Sequence, residues 1–129
     1  GQMSWRWIDR RLLVLLHDES LAMHGGASGL RDDGLLDSAL ARPVNLMAHG
    51  EPDMAALAAS YASGLAQNDP FVDGNKRAAF LSAGLFLSLN GYWLRAPQAE
   101  ATVALFGLAS GEIDEATFAA WLRDRIAER

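Results

Sequence analysis

The stretch "AQNDPFVDGNKRAAF", Ala66 to Phe80, places Asp69, Asp73, Asn75, Lys76 and Arg77 within nine positions, directly ahead of an apolar run. Its Asp-Gly turn separates two helical patterns. Upstream, Met54, Leu57, Ala58, Tyr61 and Leu65 recur at the i, i+3, i+4 interval behind Pro52 and Asp53, which predicts a helix to about Asn68. Downstream, a helix is expected from near Asn75 to Asn90-Gly91, apolar almost all round and therefore wrapped by the others. Further out, Ile8, Leu12, Leu15, Leu16 and Leu21 share a helical face that stops at the glycines of "HGGASG". "LRDDGLLDSALARP" predicts a turn and a short helix from Leu35 to Ala41, with Pro43 as its stop signal. Tyr92 to Leu94 reads as a short extended connector, and Pro97 opens a helix through about Ala109. Asp114 caps a last helix whose Phe118, Trp121, Leu122 and Ile126 share a face, with Arg123, Arg125 and Arg129 toward its C-terminal end. The expectation is an all-α single domain, a bundle of about six helices around a buried central helix at 76–90, with no internal repeat.

Composition narrows the function classes. A chain of 129 residues buries about two-thirds of its unfolded surface and needs no staple. It has no cysteine, which excludes a disulfide framework and any thiolate metal site and fits a cytoplasmic location. A net charge of -5 disfavours direct nucleic-acid binding, which needs a basic face to displace counterions. The least charged segment, Ala78 to Leu94, stops short of the roughly 20 apolar residues of a membrane span, and no signal peptide is expected. Gly1-Gln2 ahead of Met3 reads as an expression scar, leaving 3–129 as the domain.

The chemistry of the 69–77 cluster follows from its place at a helix start. Unpaired N–H groups and the helix dipole make that end an anion site, and Gly74 lets a phosphate approach the backbone. Lys76 adds a point charge and Arg77 a bidentate fork. Asp73 has the wrong sign for phosphate alone, but the right one if magnesium bridges carboxylate and phosphates. Asn75 can cap the helix or donate to a phosphate oxygen, and Phe71 would anchor the loop in the core. Read on residue types alone, the string is equally a turn, a cap and two surface cations. His17, His24 and His49 read as ordinary residues at helix ends or in loops.

The string resembles the signature loop of the Fic/Doc superfamily, H-x-F-x-[DE]-[AG]-N-[GK]-R, and within it the Doc (death-on-curing) branch, which has Asn-Lys-Arg. Eight of nine positions match, Pro70 to Arg77, and "GLRDDGLLDSALARP", "LFLSLNGYWL" and "ASGEIDEATFAAWL" extend the likeness over nearly the whole chain from Trp7. The departure is Asp69, which stands where the family has the histidine held to be its general base. Aspartate has a reference pKa of about 3.9 against about 6.5 for histidine, and a shorter reach. The resemblance therefore implies an enzyme impaired at its base.

It also implies the toxin of a toxin–antitoxin pair, moving phosphate from ATP with Mg2+ to a threonine of elongation factor Tu and so blocking translation. In that scheme Asp73 would hold the metal, and Gly74, Asn75, Lys76 and Arg77 would bind the phosphates. The glycine-rich loop before Leu30 corresponds to the family's flap, where a target segment docks as an added strand. The implied partner is a Phd-like antitoxin whose helical tail fills a groove. One alternative is AMP transfer, as in the Fic branch, where glycine in place of Lys76 leaves room for the triphosphate. Another is a non-catalytic module that binds its antitoxin.

Overall fold

The computed structural model describes residues 4–129, so Gly1, Gln2 and Met3 lie outside the described residues. Six helices follow in order: α1 (Arg10–His24), α2 (Asp33–Ala48), α3 (Met54–Asn68), α4 (Asn75–Leu89), α5 (Gln98–Ser110) and α6 (Glu115–Arg123). Two short strands, β1 (Tyr92–Leu94) and β2 (Ile126–Glu128), complete the chain. Four helices start on an aspartate whose carboxylate accepts an early N–H: Asp9 from Arg11, Asp32 from Leu35, Asp53 from Ala56 and Asp114 from Thr117. Such caps satisfy donors that the helix cannot reach itself. No helix among the described residues is long and apolar enough to cross a membrane.

The central position belongs to α3 rather than α4. Eleven of the fifteen residues of α3 are buried, against six of fifteen in α4. The cause is size. Ala55, Ala58, Ala59, Ala62, Ser63, Gly64 and Ala66 let neighbours approach α3 on every side, and a Cβ on Gly64 would lie 3.2 Å from Ala39 Cα of α2. Tyr61 carries the bulk: its hydroxyl accepts the Ile8 N–H at 3.0 Å, and its ring lies 5.3 Å from Phe86 of α4. Trp5 and Trp7 each meet Phe86 at 5.9 Å, closing the N-terminal segment over α4.

Two further sequence expectations are corrected. Pro43 does not end its helix, for α2 runs on to Ala48 with Pro43 buried inside it. Proline cannot donate to the carbonyl four residues back, and packing of α2 on α3 keeps the helix together across that gap. At the other end, Ile126 is in β2 rather than on α6. The Arg125 N–H bonds to Leu122 O at 2.8 Å in a tightened last turn, after which the chain pairs antiparallel with β1, Leu94 opposite Ile126 and Tyr92 opposite Glu128. The arginines have particular partners: Arg123 bonds Asp53, Arg125 lies 4.7 Å over Trp121 and pairs with Glu100, and Arg129 lies 5.0 Å over Trp93. Arg125 alone of the three bonds a carbonyl near the end of α6, that of Trp121.

Candidate functional site

The α3–α4 connection is held residue by residue. Asp69 ends α3 in the left-handed region, φ 48 and ψ 55, the one non-glycine residue with positive φ among the described residues. Asp, Asn and His tolerate that region better than other side chains. Its N–H bonds back to Leu65 O, and its carbonyl accepts Arg31 Nε at 2.7 Å while Asn68 O accepts Arg31 Nη2 at 2.9 Å. Arg31 thus satisfies carbonyls at the end of α3. The segment 29–31 lies antiparallel to 70–72, with Val72 N–H bonded to Gly29 O at 3.0 Å and Arg31 N–H to Pro70 O at 2.7 Å.

Phe71 is buried, as the sequence suggests. Asn75 does not cap α4; the cap is Gly74, at φ 72 and ψ 26, with no side-chain bond. Instead the Asn75 amide closes on the Phe71 main chain, Oδ1 accepting its N–H at 2.9 Å and Nδ2 donating to its carbonyl at 3.0 Å. The main-chain N–H groups of Asn75, Lys76 and Arg77 have no acceptor among the described residues. They form a row of donors at the positive end of a fifteen-residue helix.

This helix start faces a cavity of about 930 Å³. Asp69, Asp73, Gly74, Asn75, Lys76 and Arg77 all line it, together with Arg31, Phe80, Leu105 and Phe106. Lys76 Nζ sits 5.1 Å over the Phe106 ring, and Arg77 reaches Gly25 O at 3.4 Å. The exposed Asp73 carboxylate takes the Gly74 N–H at 2.8 Å on Oδ1 and the Ala27 N–H at 3.2 Å on Oδ2. Among the described residues no three acidic or histidine side chains converge as a metal cage. The exposed Asp73 carboxylate beside this donor row, with that of Asp69 on the same cavity, does fit magnesium, which uses one or two carboxylates and completes its shell with phosphates and water.

The sequence pattern of the Fic/DOC family matches residues 7–87. The chain belongs to the Fic/DOC family. It is 36% identical over 121 residues to Protein kinase doc of Escherichia phage P1, covering 92% of this chain and 94% of that protein. It is 43% identical over 74 residues to Toxin Doc of Mycolicibacterium smegmatis, covering 56% of this chain and 57% of that protein. The matched Fic/DOC span runs from α1 into α4 and so holds the whole 69–77 loop, while the α5 wall of the cavity lies beyond it.

One further residue of this Fic/DOC chain bears on the loop. His17 lies in the interior of α1, not at a helix end, and is fully buried. Its Nε2 is 2.9 Å from Asp73 O, and its ring centroid is 4.1 Å from that of Phe71. The sequence signal was present: His17 falls among Leu13 and Leu21, an apolar stripe where a polar ring needs a partner. His24 and His49 do stand at helix ends, His49 bonding Asn45 O at 2.8 Å.

Proposed function

We propose that this chain is a Doc-type toxin of a toxin–antitoxin pair, built to transfer the terminal phosphate of ATP to a threonine of elongation factor Tu, and weakened by Asp69. The observation that carries the reading is the row of unpaired N–H groups at the α4 start, with Lys76, Arg77 and the carboxylates of Asp69 and Asp73 on the same cavity. Phosphoryl transfer asks a protein mainly for positioning and charge stabilisation, and this arrangement supplies both.

In this reading Gly74 and the first α4 N–H groups hold the phosphates, and Lys76 and Arg77 take their charge. Asn75 serves chiefly by closing the loop on Phe71, with its main-chain N–H in the donor row. Asp73, whose carboxylate accepts the Ala27 and Gly74 N–H groups, would hold Mg2+, which when bound would neutralise phosphate charge. Asp69 faces the target hydroxyl as the proton acceptor. Its short side chain suits that role less well than an imidazole, because a general base must come within about 3 Å of its proton.

The similarity to Toxin Doc and Protein kinase doc supports an antitoxin partner. Val103 and Phe106 of α5, 72% and 54% exposed, offer an apolar wall suited to the helical tail of a Phd-like protein. Lys76 favours phosphate over AMP transfer, since its side chain lines the cavity, with Nζ over the Phe106 ring, where glycine would leave room for a triphosphate.

The test uses this chain and its Asp69→His variant, each incubated with ATP labelled on the terminal phosphate, Mg2+ and purified elongation factor Tu. The expected result is label on the target from the histidine form and little from the present chain. No label from either overturns phosphate transfer to this target, and a repeat with α-phosphate label then tests AMP transfer.

A further inference from the structure

A histidine in a dry interior is costly unless both ring nitrogens are satisfied. His17 meets this condition on one side. A carbonyl oxygen only accepts, so the 2.9 Å contact with Asp73 O requires Nε2 to carry the proton and donate it. Nδ1 is buried with no hydrogen-bond partner. For packing alone, a phenylalanine would fill much the same space against Phe71 without stranding a nitrogen. The polar ring is therefore kept for its one bond, which ends on the main chain of the residue just before Gly74.

We infer that His17 is a positioning residue for the anion-binding turn, holding the Asp73 carbonyl so that the 73–74 peptide and the first N–H groups of α4 face the cavity. The inference rests on the reading of that helix start as a phosphate site. Gly74 shows how tightly the ring and the turn are matched. A Cβ there would lie 2.9 Å from His17 Cε1, so the turn closes against the imidazole with no room for a side chain. His17 touches none of the reacting groups and acts through the main chain. A bond to the carbonyl also leaves the Asp73 carboxylate free to turn, which a bond to the side chain would not.

The test compares the full chain with His17→Phe and His17→Leu, which remove the donor, and with His17→Gln, whose amide nitrogen presents an N–H at similar reach. Affinity for Mg·ATP is measured by calorimetry, and the thermal midpoint of each chain is recorded alongside. The donorless variants are expected to bind about tenfold or more weakly, the scale seen when an orienting partner is removed. Their midpoints should stay near that of the parent or rise, and His17→Gln should restore most of the affinity. Unchanged affinity in the donorless variants overturns the inference. So does equal loss in all three variants, or failure of both donorless chains to fold, because the ring would then serve the core rather than the turn.

If the parent chain binds no Mg·ATP, the nucleotide reading fails and the positioning claim is judged by amide NMR. Displacement of the Gly74, Asn75 and Lys76 signals in His17→Phe, reversed in His17→Gln, supports it. Unmoved signals overturn it.

Discussion

A methyl group on Gly74 would meet His17 Cε1 at 2.9 Å and Leu21 Cδ2 at 3.1 Å, on a backbone at φ 72. Gly74→Ala is therefore expected to lose roughly 1–3 kcal/mol of stability, from left-handed strain and from the displaced ring; urea unfolding measures it. Asn75 acts through bonds instead of space. Replacing it with alanine leaves the Phe71 N–H and carbonyl without their partners, in a loop that is otherwise well tied. A loss of about 1–3 kcal/mol is expected by the same measurement, together with faster hydrogen exchange at the Phe71 amide. At this scale the sequence was partly legible. The residue types that bind anions and turn the chain were plain at 73–77, but the partner of Asn75 was not, since capping and loop closure use the same side chain.

Among the helix starts, Asp53 has two tasks. It accepts the Ala56 N–H at 2.9 Å and takes a two-pronged bond from Arg123 of α6, at 2.6 and 3.0 Å. The Arg123 bond is the main cause holding the Asp53 carboxyl below its ordinary value, with the Ala56 N–H helping. The stabilisation is then present in full above the unfolded carboxylate value, about 3.9, and is lost as pH falls through the lower folded value. Both side chains of the pair are about half exposed, 51% for Asp53 and 49% for Arg123, so screening limits the pair to about 0–1 kcal/mol. Asp53→Asn keeps a good cap and should cost less than about 1 kcal/mol, removing part of the stability loss below pH 4. Asp53→Ala gives up the cap as well and should cost about 1–2 kcal/mol. Thermal melts between pH 3 and 7 separate the two.

Helix starts were readable at Asp53 and Asp114 because a cap is local. The ends of α1, α3, α4 and α5 were equally readable, but those of α2 and α6 were not. Pro43 lies within α2 because tertiary packing outweighs one missing bond, and Ile126 leaves α6 because β1 offers it a partner far away in the chain.

Across the whole molecule, packing converges on α3, whose small residues set the spacing of its neighbours. A side chain on Gly64 would press on Ala39 Cβ at 3.2 Å and Arg42 Cδ at 3.1 Å. Gly64→Leu is expected to cost about 1–3 kcal/mol or more through forced separation of α2 and α3. The loss should appear as a lower urea midpoint. The bulk of the leucines and phenylalanines of α4 pointed to that helix as the centre, ahead of the alanines, serines and glycine of α3. Closeness of approach follows the opposite order, and the sequence shows it only once the partner helices are known.

The same centrality bears on Asp69. Its main chain is the last turn of the most buried helix, through the bond to Leu65 O, and Arg31 grips its carbonyl from outside, while its side chain stands at the cavity. Displacing that backbone means breaking the bonds to Leu65 O and from Arg31, and not merely bending a loop. An aspartate or a histidine at position 69, both of which tolerate the left-handed backbone, is thus mounted on the end of the most buried helix, and exchanging one for the other alters the chemistry at that point without asking the main chain to move.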